Sequence, residues 1–249
     1  MLPYEGIWGI IEKIIEHGPE IKTSRRYKGF DEELFEELKN KVEEYYLNTA
    51  EYPDKIVELI KHIPEIDFTY RYKDPSSIKL KLERNQLTKQ LYKIANDILG
   101  MRFIIKAETA ELKQIVHEFV TCCPYEQDAC NIVDQTLGKT YDDGYKAIHV
   151  YIRPNNYVFP IEIQFWTRTH ALLNEYLHEQ IYKMDNDQLN QYALDLSKWL
   201  ESVPRFPNSD EVAIKSYVDY IYEQAFSNKY LNENDEDIDD VDQYSNGES

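Results

Sequence analysis

The chain contains no run of about 18 or more apolar residues, so no stretch reads as a hydrophobic membrane-spanning helix. Its opening stretch, MLPYEGIWGIIEKIIEH, has no basic region ahead of its apolar residues, which argues against a secretory signal and leads to the expectation of a soluble cytoplasmic protein without a membrane partner. Cysteine is scarce. Cys122, Cys123 and Cys130 form an odd set, and although His117 lies nearby, no second pair stands at zinc-ligand spacing, so the three are expected to be reduced thiols. Positive charge is also short: 28 Lys and Arg stand against 46 Asp and Glu, for a formal charge of −18. That sign opposes non-specific nucleic-acid binding, in which phosphate neutralisation supplies most of the affinity. At 249 residues, 42% apolar and 13% aromatic, the chain can bury one substantial core, and one domain with helical extensions is the default expectation.

Against that acidic background, Arg71 to Lys106 holds nine Lys or Arg and only three acids, which implies a bound polyanion. Within it, RYKDPSSIKLK sets Arg71 and Lys73 two apart, then Ser77 and Lys81 four apart beyond Pro75. With an extended Arg71–Lys73 and a helix opening near Pro75, these four groups converge on one triphosphate, helped by the free N–H groups of the first helical turn. The competing reading is a solvated helix face with ordinary surface lysines. In ANDILGMRFIIK, Asp97 and Arg102 flank an apolar run that leads into a β-prone one, and an acid at the mouth of a buried strand is either a helix cap or a metal ligand.

NYVFPIEIQFWT reads as a strand in which Ile161, Ile163 and Phe165 alternate with Glu162 and Gln164, placing the last two on one face. Such a pair is usually the wet side of a half-buried strand, but two carboxylates at a phosphate-sized basic site also suit Mg²⁺. Between these segments, GKTYDDGYKAIHVYI reads as a turn at Gly144 and a strand over 145–152, with Tyr145, Ala147 and His149 on one face. A tyrosine there stacks a base and a histidine donates to phosphate, unless the segment is simply a loop and a half-buried strand.

RYKDPSSIKLKLERN, DILGMRFII, DGYKAIH and PIEIQFWT followed by HALLNEYLHEQIYK resemble, in order and spacing, the successive motifs of the RelA/SpoT nucleotide pyrophosphokinase domain, from about Phe68 to Lys183. The resemblance implies a nucleotidyltransferase-like fold and transfer of the β,γ-diphosphate of ATP to a ribose 3′-hydroxyl, with Mg²⁺ as cofactor. It implies that Arg71, Lys73, Ser77 and Lys81 hold the ATP phosphates and that Arg102 stacks near the adenine. Asp97 and Glu162 become the catalytic and metal-binding pair, Glu162 also assisting deprotonation of the acceptor. Tyr145 stacks the acceptor base, with His149 and Gln164 lining the same site. The acceptor is GDP or GTP in most of the family. Here Asp142 and Asp143 precede the Gly-Tyr pair where the family usually has Lys, Pro and Asn, and Trp166 stands where an arginine is usual. Both departures are similar to toxic small alarmone synthetases, some of which pyrophosphorylate the tRNA 3′ end; a toxin of that kind implies a neutralising antitoxin partner. A tRNA partner needs a basic patch, and Arg25, Arg26 and Lys28 in SRRYKGF are the best placed, unless they form a solvated interhelix turn.

The fold class expected is α+β, a small mixed sheet flanked by helices. Helices are expected over 5–17, 31–47 (capped by Asp31, with Leu34, Leu38, Val42 and Tyr45 on one stripe), 75–96, 108–121, 167–184, 187–202 and 209–228. Strands are expected near 101–106, 145–152 and 158–166, with one or two more in 120–138. His170 and His178, eight apart on a helix, read as packing or hydrogen-bonded groups rather than ligands. Residues 1–230 are expected to form a single synthetase domain. The tail 231–249 has eight acids and no base and is expected to be disordered; without it the formal charge is still −10. Two other classes compete with an enzyme. A silent nucleotide-binding module has no need of both Asp97 and Glu162, and a pure interaction protein leaves the basic island unexplained.

Overall fold

Helical periodicity near the N-terminus gives two helices that bury one stripe each. In the computed structural model, which describes residues 2–137, 144–180, 194, 195 and 222, α1 (Tyr4–His17) buries Ile7, Trp8, Ile11 and Ile14. Helix α2 (Glu32–Thr49) buries Leu34, Leu38, Val42 and Tyr45, the stripe read from the sequence. Asp31 caps it, its Oδ1 accepting from the Leu34 N–H at 2.8 Å, a cap that contributes about 1 kcal/mol. Helix α3 (Glu51–Ile60) lies outside the expected elements, because three buried positions, Pro53, Ile56 and Ile60, make too short a repeat to stand out.

The sheet has five strands in the order β2 (Ile66–Tyr72), β4 (Leu99–Ile105), β7 (Ile161–Thr167), β6 (Ile148–Ile152) and β5 (Cys130–Asp134). β4 and β7 run parallel and the other pairs antiparallel, so the sheet is mixed, as expected. The period-two alternation sorts side chains between its faces. Leu99, Met101 and Phe103 from β4, Ile161, Ile163 and Phe165 from β7, and Ile148, Val150 and Ile152 from β6 enter one core with α1, α2, α3 and α6 (Thr109–Thr121). Trp8 ties α1 to α6, stacking on Phe119 at 4.8 Å and donating from Nε1 to the Phe119 carbonyl at 2.7 Å. Fully burying each such aromatic contributes roughly 1.5–3 kcal/mol. The opposite face carries a small second cluster, Ile104, Ala147, Trp166, Ala171 and Tyr222, under α7 (Arg168–Gln180), and otherwise polar side chains.

Several expectations are corrected. The helix expected over 75–96 is broken. α4 (Pro75–Glu83) ends, and Lys89–Gln90 then forms β3, followed by the short α5 (Leu91–Ile94). Asn85 causes the break. Its buried side chain donates to the Tyr27 carbonyl at 3.2 Å while its own carbonyl accepts from the Gly29 N–H, pinning this loop to the SRRYKGF segment. That segment is not a plain interhelix turn, since Arg26–Tyr27 forms β1, paired antiparallel with β3. The strand expected from Tyr145 starts at Ile148: Gly144 turns the chain at φ 82°, and the Lys146 backbone bonds the Asn174 side chain instead of a neighbouring strand. The strand β2 was legible only at its Arg71 end. Among the described residues 120–137 there is one strand, β5. The expected helices 187–202 and 209–228, the tail 231–249, and Asp142 and Asp143 lie outside the described residues.

Candidate active site

The residues that lead into β4 start the site. β2 runs one residue past its last paired position, with the Lys73 N–H donating to the Ile98 carbonyl at 2.8 Å, and this sets the Lys73 ammonium beside Asp97. Lys81 arrives from the last turn of α4. Lys73 Nζ donates to Asp97 Oδ2 at 2.5 Å, and Lys81 Nζ donates to Oδ1 at 2.9 Å and to Asn96 Oδ1 at 2.6 Å. Asp97 therefore caps no helix; it is an anion between two cations. Burial alone would raise its carboxyl, but Lys81 and Lys73 outweigh burial and hold it below the usual carboxylate range. Burial pushes the Lys81 ammonium down, only partly opposed by Asp97.

On the polar face, Arg71, Gly100, Glu162 and Tyr151 form one row across β2, β4, β7 and β6. Arg102, Gln164 and His149 lie in the next. Glu162, 8% exposed, is enclosed by donors: His149 Nδ1 at 3.0 Å and Tyr151 OH at 2.8 Å on Oε1, and Gln164 Nε2 at 3.1 Å on Oε2. Burial would raise this carboxyl, but the bonds from His149 and Tyr151 keep it below its ordinary value. A carboxylate only accepts, so His149 carries its proton on Nδ1 and leaves Nε2 facing the Tyr145 hydroxyl at 3.2 Å. Burial next to Glu162 in turn raises the Tyr151 phenol well above its ordinary value. Gly100 lies between Arg71 and Glu162, where an added Cβ would make only ordinary contacts, 3.8 Å from Glu162 Oε2 and 4.0 Å from the Arg71 side chain.

Arg102 extends the network toward α7. Its Nε donates to Gln164 Oε1 at 3.2 Å, its NH1 pairs with Glu175 at 3.3 Å, and its guanidinium lies 3.8 Å over the Trp166 ring. Asn174, 2% exposed, accepts from the Lys146 N–H at 3.1 Å and donates to the Lys146 carbonyl at 2.8 Å. One amide thus clamps the backbone beside Tyr145.

The structure brings Lys73, Lys81 and Asp97 into one cluster, and Tyr145, His149, Glu162, Gln164 and Arg102 into a second. Arg71 is exposed beside Gly100. Ser77 is exposed on the first turn of α4, but that turn has fewer free donors than expected. Asp74 caps it, accepting from the Ser76 N–H at 2.7 Å with its side chain and from the Ser77 N–H at 3.1 Å with its carbonyl. Arg25, Arg26 and Lys28 lie on the β1–β3 ribbon with Lys89, and Arg25 pairs at 3.4 Å with Glu37. Tyr151 and Asn174 are site residues that sequence reading missed. Tyr151 sits one pleat beyond His149, so the same alternation points to it; nothing local marks Asn174. His170 is buried on Thr167 and Thr109, with burial lowering its imidazole to about 4, in keeping with a packing role. The His178 side chain lies outside the described residues. The cysteines are free, Cys123 and Cys130 in sulfur contact.

Two carboxylates suit a divalent ion here. Among the described residues no group of three or more His, Cys, Asp or Glu gathers at metal-ligating distance. Mg²⁺ commonly takes only one or two carboxylates and completes its shell with substrate phosphates and water. Asp97 and Glu162 feel each other's charge, and each retains lone pairs beyond those already bonded.

Stability should fall in acid. Asp97 and Glu162 lie below their ordinary values in the folded chain, as does Asp134, where Lys113 and Thr136 outweigh burial. Each contributes stability that is fully present above the unfolded carboxylate value, about pH 4, and lost as pH falls through the folded value. Denaturant midpoints measured between pH 5 and 3 are expected to drop, with a shallower drop for Asp97→Asn; an unchanged slope would mean the Asp97 ion pairs do not form.

Residues 70–187 match a family model described as a region found in RelA/SpoT proteins, and all ten motif residues from Arg71 to Gln164 fall inside that span. No curated protein matches the chain. Among solved structures, small alarmone synthetase 2 from Bacillus subtilis is similar over 73% of this chain and 99% of its own, at 21% identity and a TM-score of 0.49. Small alarmone synthetase 1 from the same organism, bound to its product pppGpp, is similar over 75% and 93%, at 20% identity and a TM-score of 0.45.

Proposed function

We propose that this chain, whose residues 70–187 belong to the RelA/SpoT family of ATP-dependent pyrophosphotransferases, moves the β,γ-diphosphate of ATP onto a ribose 3′-hydroxyl. The observation that carries this reading is the pairing of Asp97, held between Lys73 and Lys81, with the enclosed carboxylate Glu162 on the neighbouring strand. The acceptor's 3′-oxygen forms a bond to the β-phosphorus, the bond from that phosphorus to the α-phosphate bridging oxygen breaks, and AMP leaves. The 3′-hydroxyl proton passes to Glu162, directly or through one water. No covalent intermediate is needed, so catalysis consists of alignment and of charge neutralisation on phosphate oxygens. Lys73, Lys81 and Arg71 supply cations for the phosphates, with Ser77 adding a hydroxyl. Asp97 and Glu162 would hold Mg²⁺, which when bound neutralises further phosphate charge. Tyr145 stacks the acceptor base, fixed by its bond to His149.

For the acceptor we favour the 3′ end of tRNA over GDP or GTP. The β1–β3 ribbon supports it, because it joins Arg25, Arg26 and Lys28 to Lys89 in an otherwise acidic protein, and Lys79 lies over the neighbouring Phe30 ring at 5.6 Å. The Arg25–Glu37 pair is exposed and contributes little, so Arg25 is free to exchange it for phosphate. On this reading the protein stops translation, and a neutralising partner accompanies it.

The test is incubation with γ-labelled ATP, Mg²⁺ and either deacylated tRNA or GDP and GTP. Label is expected on tRNA, and Arg25→Glu combined with Arg26→Glu should abolish it while ATP still binds. Label on GDP or GTP with tRNA inert would leave an alarmone synthetase. No transfer to either, with ATP bound, would identify a silent nucleotide-binding module.

A further inference from the structure

We infer that Trp166 is a positioning residue that ties donor binding to acceptor binding by holding Arg102 and Tyr145 against one indole; this rests on the roles proposed above for those two residues. In the sheet, Arg102 pairs with Gln164, and Trp166 is the next residue on the same face of β7. The Arg102 guanidinium leans along the strand onto the Trp166 ring, its carbon 3.8 Å from the ring centre. Gln164 and Glu175 fix it in that plane by hydrogen bonds at 3.2 and 3.3 Å. With one guanidinium face on the indole, the second face is the one a planar base can stack on. Trp166 also meets Tyr145 edge-on, ring centres 6.1 Å apart and planes at 80°.

The indole itself cannot shift far. It is 3% exposed, wedged among Ile104, Ala147, Ala171 and Tyr222, where two alanines leave it room. Its Nε1–H has no hydrogen-bond partner among the described residues. A phenylalanine would fill this apolar cluster without burying an unpaired donor. What tryptophan adds is the strongest cation–π face of the three aromatic side chains. Core filling alone therefore does not account for an indole at this position, whereas orienting Arg102 does.

The experiment measures AMPCPP binding by calorimetry and the Michaelis constants for ATP and acceptor, with melting curves as the check on folding. Trp166→Leu is expected to weaken AMPCPP binding about 10-fold and to raise the KM for the acceptor as well, whereas Arg102→Ala moves only the ATP side and Tyr145→Ala only the acceptor side. Trp166→Phe, which packs but offers a weaker ring face, recovers only part of the loss on both sides. In an Arg102→Ala background, Trp166→Leu should add nothing further to the AMPCPP dissociation constant. If Trp166→Leu does not fold, Trp166→Met takes its place, retaining volume without a ring. AMPCPP affinity and acceptor KM at wild-type values in the folded Leu or Met variant would overturn the inference. So would an effect on AMPCPP that is equally large without Arg102. A wild-type chain that binds no AMPCPP would instead overturn the proposed activity itself.

Discussion

Asp97→Asn is expected to reduce pyrophosphate transfer to below about 1% of the wild-type rate with every acceptor. The amide keeps the shape of the side chain but has one acceptor oxygen where the carboxylate has two, and no charge. Lys73 and Lys81 now each bond a separate Asp97 oxygen, at 2.5 and 2.9 Å. In the variant one of them would face an NH₂ group, and two partly buried ammonium groups would lose the carboxylate they are bonded to. Each charge-assisted bond contributes roughly 1.5–3 kcal/mol, so ATP phosphates would meet lysines no longer held in place. On the proposed function, the same change also removes a carboxylate oxygen that would serve Mg²⁺. Rates at saturating ATP and Mg²⁺, alongside circular dichroism to confirm folding, check this. Transfer within a few-fold of wild type would remove Asp97 from the catalytic pair.

Glu162→Gln should cost about 100-fold or more in kcat if Glu162 is the base of the proposed reaction, because it then removes both that base and the acceptor at the end of a polarised network. The direction of that network is set by its charged ends. Arg102 Nε donates to the Gln164 oxygen, so the Gln164 NH₂ must point to Glu162 Oε2. His149 and Tyr151 donate to Oε1. A glutamine that keeps its oxygen toward His149 and Tyr151 presents its own NH₂ to that of Gln164. Turning Gln164 over only moves the donor–donor conflict to Arg102. The loss is therefore expected in kcat, with a smaller rise in the acceptor KM as His149 and Tyr145 lose their anchor. The pH–rate profile should also lose its acidic limb. A variant that keeps that limb would place the base elsewhere.

How much of this was legible beforehand differs between the elements. Long amphipathic repeats were: the α2 stripe of Leu34, Leu38, Val42 and Tyr45 and its Asp31 cap are local properties of spacing and side-chain chemistry, which tertiary packing only reinforces. The alternation in β7 likewise put Glu162 and Gln164 on one face. Short elements were not. The 75–96 helix failed at Asn85, whose preference for the distant Tyr27 carbonyl no window around 85 contains. The strand from Tyr145 failed for a similar reason, since the acceptor and donor that claim the Lys146 backbone belong to Asn174, 28 residues away.

The sequence by itself determined which residue types the site would use. The basic island in an acidic chain, the single-faced Glu162 and Gln164, and the spacing of Arg71, Lys73, Ser77 and Lys81 follow from composition and periodicity alone, because charge balance and side-chain alternation are written along the chain. Tertiary structure decided how those residues are paired. Only the parallel register of β4 with β7 sets Gly100 opposite Glu162 and Arg102 opposite Gln164. Only the approach of α4 to the end of β4 puts Lys81 on Asp97, and only the β6 register adds Tyr151 to the Glu162 carboxylate. Partners brought together across 11 to 73 residues of sequence depend on the packing of the whole sheet, so charge, hydrogen-bond direction and proton affinity at the site are properties of the fold.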